Sequence, residues 1–528
     1  MKHLFRSVLS LLLAATLLLG GVSLAEEQPK SVNVAVTSTI TTMNPLLIGP
    51  EEVVKYALSL TFLPLVELNQ ELEFVPQLAD SITTEDNLTF TIHLDEKATW
   101  SDGAPVTAKD VEFVFLCMTN PACGNTGMSM YAIEGVGDDG FIAADATSID
   151  GVKIIDDKTL TVTAKWPMAL YTFMNNFGRY VLPLPEHVLG SVPKDQLLTY
   201  DWFNKPTVVS GPYCIVDFDL NHYVHYVANE AYWQGEPKIK YLNLNVVESA
   251  QLLAGLQSGE IDLIQQTMGS ILLEDYEAVK ALDSVTVYMG TPVTNQSIFV
   301  NVNRVPDVRI RQALLYGIDR ELILRELVYG NGEIVDGFLC SASPYYSDEV
   351  VPTAYDPEKA AQLIAEAKAD GTPTTLTWYV NSGDVTFVQA ASFIAAMFQE
   401  IGLTIDIKTV DFATLMSVAN NLEFDVMSVQ YTYAPVDPYT DVSWLLSEWG
   451  WTQYVNDDVT AALNQSQALT DVEQITALYT YVDKMMQQDA PMISAYILST
   501  MGVCSNRLVN ATPDVFGTFI NVHEWDVQ

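Results

Sequence analysis

Apolar positions recur along this chain at two spacings, and the spacing changes from one segment to the next. Asn87 to Leu94 sets Leu88, Phe90, Ile92 and Leu94 at period two, the pattern of a strand with one buried face. Lys158 to Ala164 repeats it with Leu160, Val162 and Ala164. Val152 to Ile155 and Thr159 to Thr163, separated by Asp156-Asp157-Lys158, predict a hairpin. Elsewhere the period is helical. Asp356-Pro357 supplies an N-cap and a proline at the first helical position, and Leu363, Ile364 and Ala367 mark one face, so a helix is predicted to about Lys368. Phe387 to Ile401 carries helical spacing, stops at Gly402 and resumes as the alternating strand Leu403, Ile405, Ile407. Helices and strands alternate throughout without a tandem repeat, which predicts mixed α/β (α+β) lobes.

The N-terminus breaks this pattern. Lys2 and Arg6 precede an apolar run from Val8 to Leu19, followed by Ser23-Leu24-Ala25 ahead of Glu26. This reads as a signal peptide, residues 1–25, cut after Ala25. The run is about twelve residues long where a spanning helix needs ~20, so cleavage is expected rather than anchoring. No cysteine lies near the cut, so no lipid anchor is expected, and the mature chain is expected in a periplasm or outside the cell.

Composition narrows the function. The 528-residue chain is 49% hydrophobic with a formal charge of −41, so it is globular but repels nucleic acid and anionic membrane surfaces. About 500 mature residues exceed one core and imply two or three lobes. Five cysteines in an exported chain allow two disulfides, and Cys117 and Cys123, six apart around Asn120-Pro121, are the candidate pair. None of the five has the CxxC spacing of a zinc or redox site.

Catalytic patterns are absent: no GxSxG, no HExxH and no GxxxxGK[ST]. Six histidines are present, and His222 and His225, three apart in a strand-like run, point to opposite faces. No metal site and no cofactor are expected. Sixty-six acids guarantee chance carboxylate pairs, so counting leaves a secreted hydrolase of the glycosidase kind open.

Seven landmarks then line up in order. Following Phe90, TIHLDEKATWSDGAPVTAKDVEFVF joins a strand, Trp100, the Asp102-Gly103 turn and a helix capped by Thr107. Ser210 to Tyr213 (SGPY), Asn229 to Gly235 (NEAYWQG) and Glu248 to Ile264 follow, the last a helix closed by Gly259 and then a buried strand from Ile261. Asp307 to Arg320 (DVRIRQALLYGIDR, with Asp319 as a cap) comes next, and Tyr355 to Ala367 with Phe398 to Ile405 completes the set. In this order they resemble the family 5 extracytoplasmic solute-binding proteins, the peptide/nickel/opine class. Across nearly all of the mature chain, the resemblance implies a type II-like periplasmic binding protein: two lobes, a hinge crossed twice and an inserted extra domain.

The implied division is lobe I at 26–72, 206–298 and 499–528, the inserted domain at 73–205 and lobe II at 299–498, with crossings near Ser297 to Val302 and Leu498 to Met501. The implied function is non-enzymatic: a monomer that closes over a small ligand and presents it to the permease of an ABC importer. An oligopeptide or dipeptide is the first expectation for the ligand, with oligosaccharides, nickel chelates and opines as alternatives. The chain departs from the family where peptide binders place an aspartate four residues before a proline. Asp437-Pro438 aligns, but that acid is Ala434, which removes a charge-assisted bond to a peptide amine. Tyr431, Tyr433, Asp437 and Trp451 in this aromatic-rich stretch, and Ile48, Gly49 and Glu51 in the first lobe, are the candidate ligand contacts.

Overall fold

A computed structural model describes residues 29–123, 128–383, 385–432 and 434–528. The expected signal peptide, residues 1–25, lies outside them. Two large sheets organise the chain. The first has seven strands in the spatial order Val285–Met289, Met501–Ser505, Leu263–Ile264, Ser31–Val36, Tyr241–Val246, Tyr223–Ala228 and Tyr213–Asp219. Ser31–Val36 runs parallel to both of its neighbours. The second has six strands, Gly332–Glu333, Met492–Leu498, Thr294–Val300, Val426–Thr432, Thr375–Asn381 and Thr404–Val410. A four-stranded antiparallel sheet, from Ala79–Thr84, Thr89–Leu94, Thr159–Thr163 and Val152–Ile154, is built within the chain stretch that separates the first strand of the first sheet from its next.

Local chemistry places these elements. Trp100 is fully buried and its Nε1–H donates to Asp110 Oδ2 at 3.3 Å. Asp110 also closes a capping box with Thr107 at the start of the helix Ala108–Met118, which satisfies donors the first turn otherwise leaves open. Gly103, at φ 87°, makes the tight turn between them. Gly259 ends the helix Ser249–Ser258 in the left-handed region, so the chain can turn directly into the buried pair Leu263–Ile264. Asp356 caps Pro357–Ala369 through the Lys359 amide.

The chain leaves the first sheet at Met289 and enters the second at Thr294, then returns between Leu498 and Met501. The two passes touch: Gly290 N–H donates to the Thr500 carbonyl at 2.9 Å. The outgoing crossing therefore lies at 290–293 and not near Ser297 to Val302. Thr294–Val300 is a central strand of the second sheet, buried at all seven positions. Both of its faces are covered, so the polar run Thr294 to Ser297 is enclosed along with the apolar Ile298 to Val300.

The expected Cys117–Cys123 disulfide is also corrected. Both residues are free, fully buried thiols. Lys194 occupies them both: its ammonium lies 3.4 Å from Cys117 Sγ, and its carbonyl accepts from Cys123 Sγ at 3.3 Å. The Cys123 hydrogen bond and the Lys194 charge hold the Cys117 thiol below its ordinary pKa against the effect of burial.

Candidate functional site in the cleft between the lobes

The cleft begins with a helix that buries nearly every side. In Glu52–Ser59, the residues Val53 to Leu58 are all buried, Lys55 among them. A buried ammonium survives only with partners. Lys55 Nζ lies 3.1 Å from Glu52 one turn away and 3.0 Å from Glu67. Arg179, 2% exposed in its side chain, places Nε 2.7 Å from Glu67 and Nη2 3.1 Å from Glu52, while the Tyr180 hydroxyl donates to Glu52 at 3.0 Å. Two carboxylates and two cations thus balance. Burial by itself would raise the Glu52 carboxyl, but Lys55 and Arg179 bring it down to about 2.

Arg179 follows an irregular helix. Leu170–Phe173 is α-helical, Met174–Gly178 widens to a π turn, and the Arg179 amide reaches back five residues to the Met174 carbonyl at 3.0 Å. Such widened turns are frequent at functional sites. Here it lets Asn175 and Asn176 both face the opposite lobe. Asn175 Nδ2 donates to Asp437 Oδ2 at 3.1 Å, Asn176 donates to Thr440 at 2.9 Å and the Thr172 hydroxyl donates to Asp437 Oδ1 at 2.7 Å. Arg179 Nη1 in turn holds Asn175 Oδ1 at 3.0 Å. A continuous polar chain therefore runs from Glu67 through Arg179 and Asn175 to Asp437. A second contact between the inserted domain and lobe II joins the Ala169 amide to Gln467 Oε1 at 3.0 Å.

On the far side, Asp437 precedes the helix Pro438–Leu445, whose proline sits in the first turn. Asp441, one turn further along, accepts from the Tyr431 hydroxyl at 2.5 Å. Tyr431 lies directly opposite Asn295 in the pairing of Val426–Thr432 with Thr294–Val300, so the two side chains share a sheet face. Asn295 is completely buried, and neither its amide nitrogen nor its amide oxygen has a partner among the described residues. A buried orphan of this kind costs about 1–3 kcal/mol.

Residues 73–453 match the model for bacterial extracellular solute-binding proteins, family 5. A putative ABC transporter peptide-binding protein of Brucella ovis is 30% identical over 477 residues, covering 85% of this chain and 84% of its own. The chain belongs to family 5 of the extracellular solute-binding proteins. Two solved structures share its fold. The oligopeptide-binding protein AppA of Bacillus subtilis, in complex with a nonapeptide, superposes with a TM-score of 0.78 at 20% identity, over 95% of this chain and 100% of AppA. NikZ of Campylobacter jejuni, in complex with Ni(L-His), gives 0.77 at 21% identity, over 94% and 99%. The architecture of this solute-binding protein is the type II-like one of two lobes, a hinge crossed twice and an inserted domain.

The residues nominated from the sequence of this solute-binding protein take different places. Tyr431 and Asp437 stand in the cleft as described. Trp451 is half-buried and packs edge-on against Phe299 at 5.3 Å and Trp444 at 5.1 Å, with its indole N–H unpartnered among the described residues. Ile48 and Gly49 are buried and Glu51 is exposed at the start of its helix; the acid that enters the charged network is the next one, Glu52. Tyr433 lies outside the described residues. Sequence reading missed Glu52, Thr172, Asn175, Arg179, Asn295 and Asp441. The signal that could have found three of them is the amide pair and lone arginine set among aromatics in YTFMNNFGRY.

Electrostatics divide the cleft in two. The Glu52, Lys55, Glu67 and Arg179 group is neutral in sum. Among the described residues, Asp437 and Asp441 are not offset in this way. Burial raises the Asp437 carboxyl above its ordinary value despite three neutral donors, Thr172, Thr440 and Asn175. Burial also pushes Asp441 up to about 7, with Asp437 adding and Tyr431 opposing.

Proposed function

We propose that this protein captures a short peptide between its lobes and delivers it to the permease of an ABC importer. The observation that carries this reading is a polar cluster where the inserted domain meets lobe II: Thr172 and Asn175 donate to the buried Asp437, one turn further along Tyr431 donates to the half-buried Asp441, and Asn295, opposite Tyr431, is fully buried with no partner among the described residues. A peptide enclosed away from water must find a partner for each amide, and amide, hydroxyl and carboxylate groups in the cleft supply them. The Brucella relative, named as peptide-binding, supports the same class.

The division into lobes follows the crossings: lobe I at 29–72, 206–289 and 501–528, the inserted domain at 73–205 and lobe II at 294–498. Ligand that touches both lobes favours the shut form by its extra affinity for that form, and the permease reads the shut surface. The protein acts as a monomer by stoichiometric capture, without turnover, after export and removal of residues 1–25. Among the described residues no helix is long and apolar enough to cross a membrane.

Purified protein exposed to a mixture of di- to nonapeptides should show a tryptophan fluorescence change, a saturable rise in melting temperature and a retained mass by native mass spectrometry. If Ni(L-His) or oligosaccharides produce these responses and peptides do not, the peptide assignment is wrong.

A further inference from the structure

We propose that a pocket beside the outgoing crossing is a second binding site, which takes a free primary alkylammonium and steadies the shut form when filled. A cavity of about 100 Å³ opens there among Gln266, Met289, Gly290, Asp514, Val515 and Phe516. Thr172, Asn175, Tyr431 and Asp437 of the cleft do not line it. Gln266 is 4% exposed, and its Oε1 has no partner among the described residues. Its Nε2 donates to the Tyr288 carbonyl at 3.3 Å, which fixes the nitrogen end of the amide. The oxygen end lies over Gly290, where a Cβ would collide with it. Glycine at 290 therefore keeps the approach to that oxygen clear.

An enclosed carbonyl oxygen without a donor is costly, and an occupant that donates to it relieves the cost. Asp514 adds charge to the same wall. It is half-buried, its carboxylate accepts from the Thr512 hydroxyl at 2.5 Å, and the influences on it are burial, Thr512 and Glu71, with no cation among the described residues. Met289, Val515 and Phe516 make the rest of the lining apolar. Three N–H donors on a short alkyl stem use both parts: the head meets Gln266 and Asp514, and the stem lies against the apolar side chains. The site is tied to the hinge by position. Gln266 and Asp514 stand in lobe I, whereas Gly290 opens the outgoing crossing and bonds the return pass at Thr500. An occupant that touches both favours the crossing geometry found with the lobes in contact, by its extra affinity for that form.

The test uses the mature protein without cargo, at an ionic strength held constant with sodium chloride. Propylammonium should raise the melting temperature saturably and lower the radius of gyration in small-angle scattering. Propanol, which lacks the charge, and tetramethylammonium, which lacks the N–H donors, should do neither. Asp514→Asn should weaken the propylammonium response about tenfold, as loss of one charge-assisted bond does. Gln266→Met should weaken it less and, without amine, melt close to wild type, because the unpartnered oxygen goes together with the bond to Tyr288. Should Gln266→Met fail to fold, Asp514→Asn carries the test. An equal response to propanol, or an unchanged response in Asp514→Asn, would overturn the site and leave peptide capture standing. A melting response without compaction would overturn the link to closure. Displacement of propylammonium by peptides with free lysine side chains, but not by the same peptides with those side chains acetylated, would make the pocket part of the cargo site and overturn its independence.

Discussion

Thr172 and Asp437 meet hydroxyl to carboxylate at 2.7 Å, although 265 residues separate them along the chain. The contact exists only while the inserted domain and lobe II are together, so it contributes to closure and not to the fold of either unit. Thr172→Val leaves the buried Asp437 one donor short, a loss of ~1–3 kcal/mol confined to the shut form. Ligand affinity should fall about tenfold with little change in the melting temperature of the unliganded protein. Calorimetry measures the first, and small-angle scattering should show a larger radius of gyration at subsaturating ligand.

Arg179 is expected to behave differently, because its partners lie on its own side of the cleft. Arg179→Met leaves Glu52 and Glu67 sharing Lys55 alone, and breaking a buried ion pair in this way costs about 3–5 kcal/mol. Urea denaturation of the unliganded protein should show a matching drop in stability. A drop below about 1 kcal/mol would mean that water enters and solvates the two acids.

Much of this arrangement could be read along the chain, and some of it could not. The capping box at Thr107 and Asp110, the left-handed stop at Gly259 and the Asp356-Pro357 helix start are set by neighbours within four residues, so local spacing reveals them. Asn295 gives no such signal. It sits in a strand buried on both faces, where the period-two pattern that reports orientation disappears. Ile48, Gly49 and Glu51 missed Glu52 by one residue, because which side of a helix faces the cleft depends on packing against the Glu67 strand and Arg179. Ala434, where peptide binders of the family carry an acid, is buried in the core of lobe II.

The raised carboxyls give a pH dependence of definite sign. Burial lifts both Asp441 and Asp483 to about 7, Asp336 adding for Asp483 while the Phe338 amide opposes, against an ordinary value of ~3.9. Between those values the folded chain holds more protons than the unfolded one, so stability falls as pH rises from about 4 to 7. Glu52 works in the opposite sense. Its contribution is present above the unfolded carboxylate pKa of ~4.3 and is lost as pH falls toward 2. Self-repulsion at a formal charge of −41 adds to the alkaline loss. The ligand-free melting temperature should therefore peak near pH 4–5, and Asp483→Asn should flatten its fall toward pH 8. A thermal-shift series that is level or rising from pH 5 to 8 would contradict the assignment.

Cys117 and Cys123 should be reduced and shielded. Neither should react with a thiol reagent in the native protein, and both should be alkylated in denaturant without any reductant, as peptide mass mapping can show. Finding the two joined in freshly purified protein would require Lys194 to give up both of its contacts with them.

The rung between Gly290 and Thr500 decides how the protein can move. Two tethers pinned to each other side by side can twist and bend together, but they resist sliding past one another. The lobes are left with a single pivot. Cargo that is too bulky then registers as an unfinished swing rather than a sideways offset, and a transporter downstream need gauge only one angle to tell a full carrier from an empty one.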